Sequence, residues 1–138
     1  MDARDFIKKG REKKTPFVKW DENDGHYFGV ILWTKIVRQF EYGTRNPKID
    51  EDGNELMQML LCIDGEIGKW IMPVREGSDL HEKLSEAVDR AGADSPEPGG
   101  LVDAKVAEKV TSGAVTYNRF AVEYEPPPSA NGDDPPPF

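Results

Sequence analysis

Between residues 26 and 125 the apolar residues are concentrated in short runs that polar segments separate, a pattern typical of strands joined by turns. Segments rich in β-branched and aromatic residues are separated there by turn sequences such as Asp64-Gly65 and Ser112-Gly113. We predict strands over residues 26–42, 55–64, 66–74, 101–110 and 114–125. The first exceeds the usual strand length, so we expect a bend or bulge near Gly29 or at its middle.

Residues 78–92 change to a helical period. Ser78 suits a helix N-cap and Gly92 a helix end, and apolar residues recur between them at three- and four-residue spacing, at Leu80, Leu84, Ala87, Val88 and Ala91. The order of elements predicts a mainly β, five-stranded OB-fold barrel with one helix between strands 3 and 4. An open five-stranded sheet with one packed helix is the alternative that the pattern leaves open.

The two ends of the chain differ from this central region in composition and charge. Residues 1–15 are basic without an apolar period and predict a flexible arm, whereas residues 126–138 are acidic and proline-rich and predict a disordered tail. Residues 16–125 are therefore assigned to the OB-fold domain. Because the whole chain carries a net charge of -8, any nucleic-acid site must be a local basic patch.

The sequence argues against several other classes of protein. It has no apolar run long enough for a membrane span and only one cysteine, Cys62, so we expect a cytoplasmic protein with no membrane partner and no internal disulfide. The acidic residues 50–52 do not continue into an EF-hand, and no nucleophile is accompanied by a base and an orienting group. We therefore expect no enzyme activity, no metal and no cofactor.

The chain ends in the sequence DDPPPF. In Asp133, Asp134, Pro137 and Phe138 it resembles the acidic tip of bacterial single-stranded DNA-binding proteins, although Pro136 replaces the usual aliphatic residue. The resemblance implies a tip that docks replication, recombination and repair proteins. The phenylalanine ring can fill an apolar pocket while its carboxylate meets an arginine, and the aspartates steer the approach. A solubilising tail that ends in an aromatic residue is the alternative.

The body of the chain carries an ordered set of short landmarks: Gly29 in a long first strand, Gln39, Tyr42, Gly43 and Thr44, the Asp52-Gly53 turn, the capped helix leading into residues 98–101, and the segments 117–120 and 124–127. In this order the chain is similar to small phage-encoded OB-fold proteins that bind single-stranded DNA. The resemblance implies a protein of the infected host cell that coats or protects single-stranded DNA during replication or recombination.

Single-strand binders combine aromatic platforms for base stacking with cations along the phosphate track. Here the two residue types interleave in the strands and in the loop after the first strand, and the candidate DNA-binding residues are Trp33, Lys35, Arg38, Phe40, Arg45, Lys48, Lys69, Trp70, Arg75, Tyr117 and Arg119. Trp33 fits a core position and a stacking position equally well. Trp70, beside Lys69, is favoured as a surface platform.

Alternation also assigns faces within the strands. Tyr117 and Arg119 are expected to share one face, with Phe120, Val122 and Tyr124 directed to the core, and Arg38 and Phe40 are expected to share a face of the first strand.

A different class of function also fits this sequence. The acidic middle and the proline-rich end suit a protein-interaction adaptor with an OB-like barrel that contacts no nucleic acid. The sequence leaves open the oligomeric state, including a homo-oligomer, as well as the length of DNA bound and the preference for DNA over RNA.

Overall fold

The computed structural model describes residues 2–6, 15–41 and 43–128. A short 3-10 helix at Asn23–Gly25 is followed by β1 (His26–Arg38), β2 (Met57–Gly65), β3 (Gly68–Arg75), α1 (Asp79–Arg90), β4 (Leu101–Ser112) and β5 (Val115–Glu125). All five strands belong to one antiparallel sheet with the order β3-β2-β1-β4-β5. The mainly β class, the five strands and the helix between the third and fourth strands are therefore confirmed.

Strand β1 is shared between two parts of the sheet. Its first residues, His26 to Val30, pair with β4, and the stretch from Val30 to Arg38 pairs with β2. The expected irregularity is present as a bulge between Ile31 and Trp33. Just before it, the backbones of β1 and β2 approach so closely that a Cβ atom on Gly29 would lie 2.6 Å from the carbonyl oxygen of Asp64. Only glycine fits there without moving the backbone.

The ends of the predicted strands need small corrections. Strand β1 stops at Arg38 rather than at residue 42. At the next residue, Gln39, the backbone bonds to Leu56 and Lys48 of the loop, and the buried side chain donates from Nε2 to the Met57 carbonyl at 2.7 Å. The β2–β3 turn consists of residues 66 and 67 rather than Asp64-Gly65, since Gly65 pairs with Gly68 across it. The β4–β5 turn falls at residues 113 and 114, one residue later than expected.

The core lies between the inner face of the sheet and α1. Fully buried side chains from the central strands include Tyr27, Ile31, Leu61 and Ile63. Helix α1 adds one apolar face, with buried residues Leu80, Leu84, Ala87 and Val88. Its start is capped as predicted, because Ser78 Oγ accepts a hydrogen bond from the His81 N–H at 3.1 Å.

The two edge strands are covered in different ways. On β3, Ile71 exchanges backbone hydrogen bonds with Pro16 and Val18, at 2.8 and 2.9 Å. On β5, α1 supplies side chains: Asp79 Oδ2 accepts from the Phe120 N–H at 2.7 Å, and Arg90 donates to the Val122 carbonyl at 3.0 Å. Covered edges cannot pair with another chain at these positions.

No ladder joins β3 to β5 among the residues that the structure describes, so the sheet is not closed. The predicted hydrogen-bonded barrel is therefore not established. Other elements lie between the two edges instead. Helix α1 packs mainly on β5 and also contacts β3, and the segment 15–20 runs from Ile71 of β3 to Phe120 of β5, where the Trp20 ring lies 4.7 Å from the phenylalanine ring.

Two of the predicted regions are described only in part. Residues 3–6 of the N-terminal arm form one helical turn, in which Asp2 Oδ1 accepts from the Asp5 N–H at 2.8 Å. Residues 7–14, Tyr42 and the tail from residue 129 onward lie outside the described residues. No helix in the described part of the chain is long and apolar enough to cross a membrane.

Candidate nucleic-acid interface

The outer face of the sheet, away from α1, carries a row of side chains across β1, β2 and β3. Trp33 pairs with Cys62, Cys62 pairs with Ile71, and Ile71 is bridged to Phe17 of the segment that covers the β3 edge. Paired residues lie on the same face of a sheet, and neighbouring strands are about 4.8 Å apart, so Trp33 and Phe17 lie about 14 Å apart at the ends of this row. Both rings are exposed, by 39% and 52%.

Cationic side chains flank this row on the same face. Lys69 lies in the adjacent row, opposite Asp64, and Lys35 lies two residues beyond Trp33 along β1. Arg75 lies farther along β3, on the same side as Lys69 and Ile71. We call the set Phe17, Trp33, Lys35, Lys69 and Arg75 the cationic half of the outer face.

The bulge in β1 places Trp33 and Lys35 on this face. Before it, Tyr27 and Ile31 point to the core, so uninterrupted alternation would direct Trp33 and Lys35 inward as well. The bulge adds one residue, Leu32, and shifts the alternation, so that Trp33 pairs with the outward-facing Cys62. The sequence left both a core position and a surface position open for Trp33, and the bulge places it on the outer face.

Cys62 lies in the middle of the row but is only 2% exposed. Burial raises the pKa of its thiol, an effect that Lys69 opposes and Asp64 reinforces. The neutral thiol is therefore the stable form, which suits a packing role rather than a nucleophilic one.

Trp70 lies on the opposite side of the sheet, against the prediction of a surface platform. It pairs with the buried Ile63, its ring packs edge-on against Tyr27 at 5.1 Å, and its Nε1 donates to the Ile67 carbonyl at 2.9 Å. Trp70 therefore supports the core, while the neighbouring Lys69 belongs to the outer face.

Tyr117 and Arg119 share the exposed side of β5, and Phe120, Val122 and Tyr124 pack in or against the core, as alternation predicts. Arg119 lies 3.8 Å from Glu108, and its hydrogen bond with Tyr117 raises the pKa of the guanidinium, with Glu108 acting in the same direction. Neither residue pairs with a member of the Trp33 row, since their partners across the ladder, Val110 and Glu108, belong to β4.

Backbone hydrogen bonds hold the loop between β1 and β2. Lys48 donates to Gln39 and accepts from Leu56, both at 2.8 Å, so the loop continues the hairpin. Arg45 and Lys48 are exposed there. Phe40 is exposed and bridged to Pro47.

Arg38 forms an ion pair of 2.9 Å with Glu55 and, by its pairing with Met57, follows the inward alternation of β1. It is therefore separated from Trp33 and Lys35. The shared strand face predicted for Arg38 and Phe40 is not formed, since β1 ends before Phe40.

The part of the outer face on β1, β4 and β5 has the opposite charge. A shallow pocket there is lined by Phe28, Leu101, Asp103, Glu123 and Glu125, among other residues, and we call this set the acidic half. Within this half, Asp103 Oδ1 lies 2.7 Å from His26 Nε2. A phosphate chain is repelled by this half and attracted by the other.

Sequence reasoning missed Phe17. It is exposed, whereas Val18 and Trp20 after it pack against the core. The signal was the short alternation in the segment TPFVKW, which adds a strand-like stretch beside β3. A run this short cannot be assigned to a sheet edge without the tertiary structure.

Comparisons with protein families, with curated proteins and with solved structures found no match to this chain. Among the described residues, no group of histidine, cysteine, aspartate or glutamate side chains is arranged to hold a metal ion. The candidate partner-binding residues of the tail, Asp133, Asp134, Pro137 and Phe138, lie outside the described residues.

Proposed function

We propose that this protein binds single-stranded DNA on the cationic half of its outer face. The observation that carries the proposal is the row from Trp33 to Phe17, which places two exposed aromatic rings on one sheet surface with Lys35, Lys69 and Arg75 around them. Exposed rings stack on unpaired bases, and the cations neutralise phosphates.

The binding mode follows from the chemistry of this surface. Stacking on Trp33 and Phe17 is available to every base, so little sequence preference is expected. Lys35 and Lys69 lie on either side of the row, which gives the sugar-phosphate chain a cationic contact before and after a stacked base. The β1–β2 loop, with Arg45 and Lys48, extends the track beyond the sheet.

The arrangement of strands supports an OB-fold as the finer description of the domain. Strand β1 pairs with both β2 and β4, and α1 and the segment 15–20 lie between the edges β3 and β5. Proteins of that fold bind oligonucleotides on the face of strands 2 and 3 and with the loop between strands 1 and 2. The cationic half and the Arg45–Lys48 loop correspond to those positions.

The proposed biological role is to coat or protect single-stranded DNA during replication or recombination. The tail would then recruit partner proteins through Asp133, Asp134, Pro137 and Phe138. This part of the proposal rests on the resemblance of the tail to the acidic tip of bacterial single-stranded DNA-binding proteins.

The proposal is tested by fluorescence anisotropy of labelled oligo-dT against a matched duplex at low and high salt. We expect the protein to bind the single strand, to bind the duplex much more weakly, and to lose affinity as salt rises, because phosphate contacts release counterions. Absence of single-strand binding at low salt would refute it and favour the adaptor hypothesis.

A further inference from the structure

A groove with a volume of about 580 Å³ runs beside α1, on the side of the sheet that faces away from the cationic half. Its floor is formed by apolar side chains from the strands and from the helix: Ile36, Met57, Met59, Val74, Leu84 and Val88. The segment 93–96 borders it at the end of the helix. Val74, Leu84 and Val88 are buried at its base, so Ile36 and the half-buried Met57 and Met59 supply its accessible apolar surface.

Ile36 shows that this floor is accessible. Because of the bulge in β1, Ile36 alternates toward the core side and pairs with the half-buried Met59, yet it remains 56% exposed. An isoleucine on the inner side of a strand is ordinarily covered, since burying it stabilises the fold. An apolar surface left open at this position is a candidate contact for another molecule.

The rim of the groove is acidic. Glu76, Asp89 and Asp94 line it, and no lysine or arginine is present among its described lining residues. Glu76 is held in place because its Oε1 accepts a hydrogen bond from the Met57 N–H at 3.0 Å. Carboxylates around an apolar floor complement a ligand that is apolar in the middle and basic at its sides.

One side of helix α1 forms a wall of the groove. His81, Leu84, Ser85, Val88 and Asp89 line it and recur at three- and four-residue spacing along one side of α1. From His81 to Asp89 this stripe is about 12 Å long, at the helical rise of about 1.5 Å per residue. Ridges with this spacing pack against the grooves of a second helix.

We propose that the α1 groove binds an amphipathic helix of a partner protein, with apolar residues at helical spacing and lysine or arginine on either side of them. Apolar residues of that helix would cover Ile36 and the methionines, and its basic residues would meet Asp89, Asp94 and Glu76. Because the groove and the cationic half lie on opposite sides of the sheet, the helix binds whether or not DNA is bound. This inference does not depend on the proposed DNA-binding function.

The test uses the full chain and a fluorescein-labelled peptide of leucine and lysine, about 14 residues long, in a helical amphipathic order. The control peptide has the same composition with leucine and lysine alternating. We expect the alternating peptide to bind about tenfold more weakly, since it cannot present its leucines along one helical stripe. Equal affinities would mean that net charge alone attracts the peptides and would overturn the proposal.

Matched variants locate the contact. Ile36→Lys is compared with Ile49→Lys, because both isoleucines are 56% exposed but only Ile36 lines the groove. Asp89→Lys is compared with Glu86→Lys, since both are exposed on α1 and only Asp89 lines the groove. We expect affinity for the helical peptide to fall about tenfold for Ile36→Lys and about threefold for Asp89→Lys, and less than about twofold for each control.

Three further results would overturn the proposal. One is an Ile49→Lys variant that weakens peptide binding as much as Ile36→Lys. Another is self-association of the wild-type protein that Ile36→Lys alone abolishes in analytical ultracentrifugation, since the occupant would then be a second copy. The last is peptide binding that appears only after deletion of residues 129–138, which would identify the chain's own tail as the occupant.

Discussion

The two halves of the outer face are built on the same sheet and obey the same alternation, yet they have opposite electrostatic character. The cationic half combines two exposed aromatic rings with lysine and arginine, whereas the acidic half combines apolar side chains with three carboxylates. Strand β1 contributes to both, and its bulge lies where one half gives way to the other. The net charge of -8 therefore does not describe the local charge, whose sign changes from one half of the outer face to the other.

The largest expected effect comes from reversing two charges of the cationic half. We expect Lys35→Glu with Lys69→Glu to weaken oligo-dT binding about 100-fold at low salt and to reduce the dependence of log K on log salt by about 1.4, the value for two phosphate contacts. Lys105→Glu with Lys109→Glu, which makes the same change of net charge on β4, should weaken it less than about threefold. Equal losses in anisotropy titrations would show that overall charge, not the cationic half, attracts DNA.

The two tryptophans on opposite sides of the sheet give the next contrast. Trp33→Ala should cost about 1–3 kcal/mol of binding free energy, the usual value of one stacked base, and leave the free energy of unfolding nearly unchanged. Trp70→Ala should lower the free energy of unfolding by about 2–4 kcal/mol, because it removes the contact with Tyr27. Anisotropy and urea unfolding measure the two quantities. A Trp70→Ala protein that is folded but binds DNA poorly would contradict the assignment of faces.

The edges of the two halves also differ, because β3 is covered by backbone and β5 by side chains of α1. Burial acts to raise the pKa of Asp79, but the hydrogen bond from the Phe120 N–H and the contact with Lys83 outweigh it, so the pKa lies below its ordinary value. We expect Asp79→Ala to lower the free energy of unfolding by about 2 kcal/mol at pH 7, the range for a hydrogen bond to a charged group.

The sign of its pH dependence follows from the lowered pKa. The stabilisation by Asp79 is complete above the unfolded-state pKa of about 3.9 and is lost as pH falls through the lower folded-state value. Urea unfolding of wild type and Asp79→Ala should therefore converge in strongly acidic solution. A constant difference down to the most acidic pH at which the protein folds would exclude the ion as its source. Affinity of the folded Asp79→Ala protein for oligo-dT should stay at the wild-type value.

The smallest expected effect comes from neutralising the acidic half. Glu123→Gln with Glu125→Gln should tighten oligo-dT binding by about two- to threefold at low salt, because the carboxylates repel phosphates from a distance. At about 1 M salt the Debye length is near 3 Å, so the gain should vanish. A gain that persists at high salt would indicate direct contact between DNA and the acidic half.

Much of the secondary structure could be predicted from local signals. Runs rich in β-branched and aromatic residues, separated by turn sequences, identified all five strands, and the Ser78 cap with its apolar stripe identified α1. The errors lie at the strand ends, where contacts distant in sequence differ from the local pattern. The first strand ends before Gln39, whose backbone bonds to Lys48 and Leu56 and whose side chain donates to the Met57 carbonyl, 18 residues away along the chain.

The candidate site was harder to predict. The sequence identified Lys35, Lys69 and Arg75 as candidate DNA-binding residues. It could not show that they share one face with Trp33, because that depends on the register of three strands. Phe17 joins them only because its segment pairs with the edge of β3. Trp70 could not be assigned to the side of its neighbour Lys69, since adjacent residues in a regular strand face opposite ways.

The sequence by itself determined which segments become strands and helix, because alternation, capping and turn residues act over a few neighbouring positions. It also determined that the basic residues are a minority in an acidic chain. Only the tertiary structure decided which side of each strand faces outward. One extra residue at a bulge reverses every later side chain, and the partner strands determine where that bulge lies. The separation of a cationic half from an acidic half, and the groove that α1 leaves open, follow from that pairing.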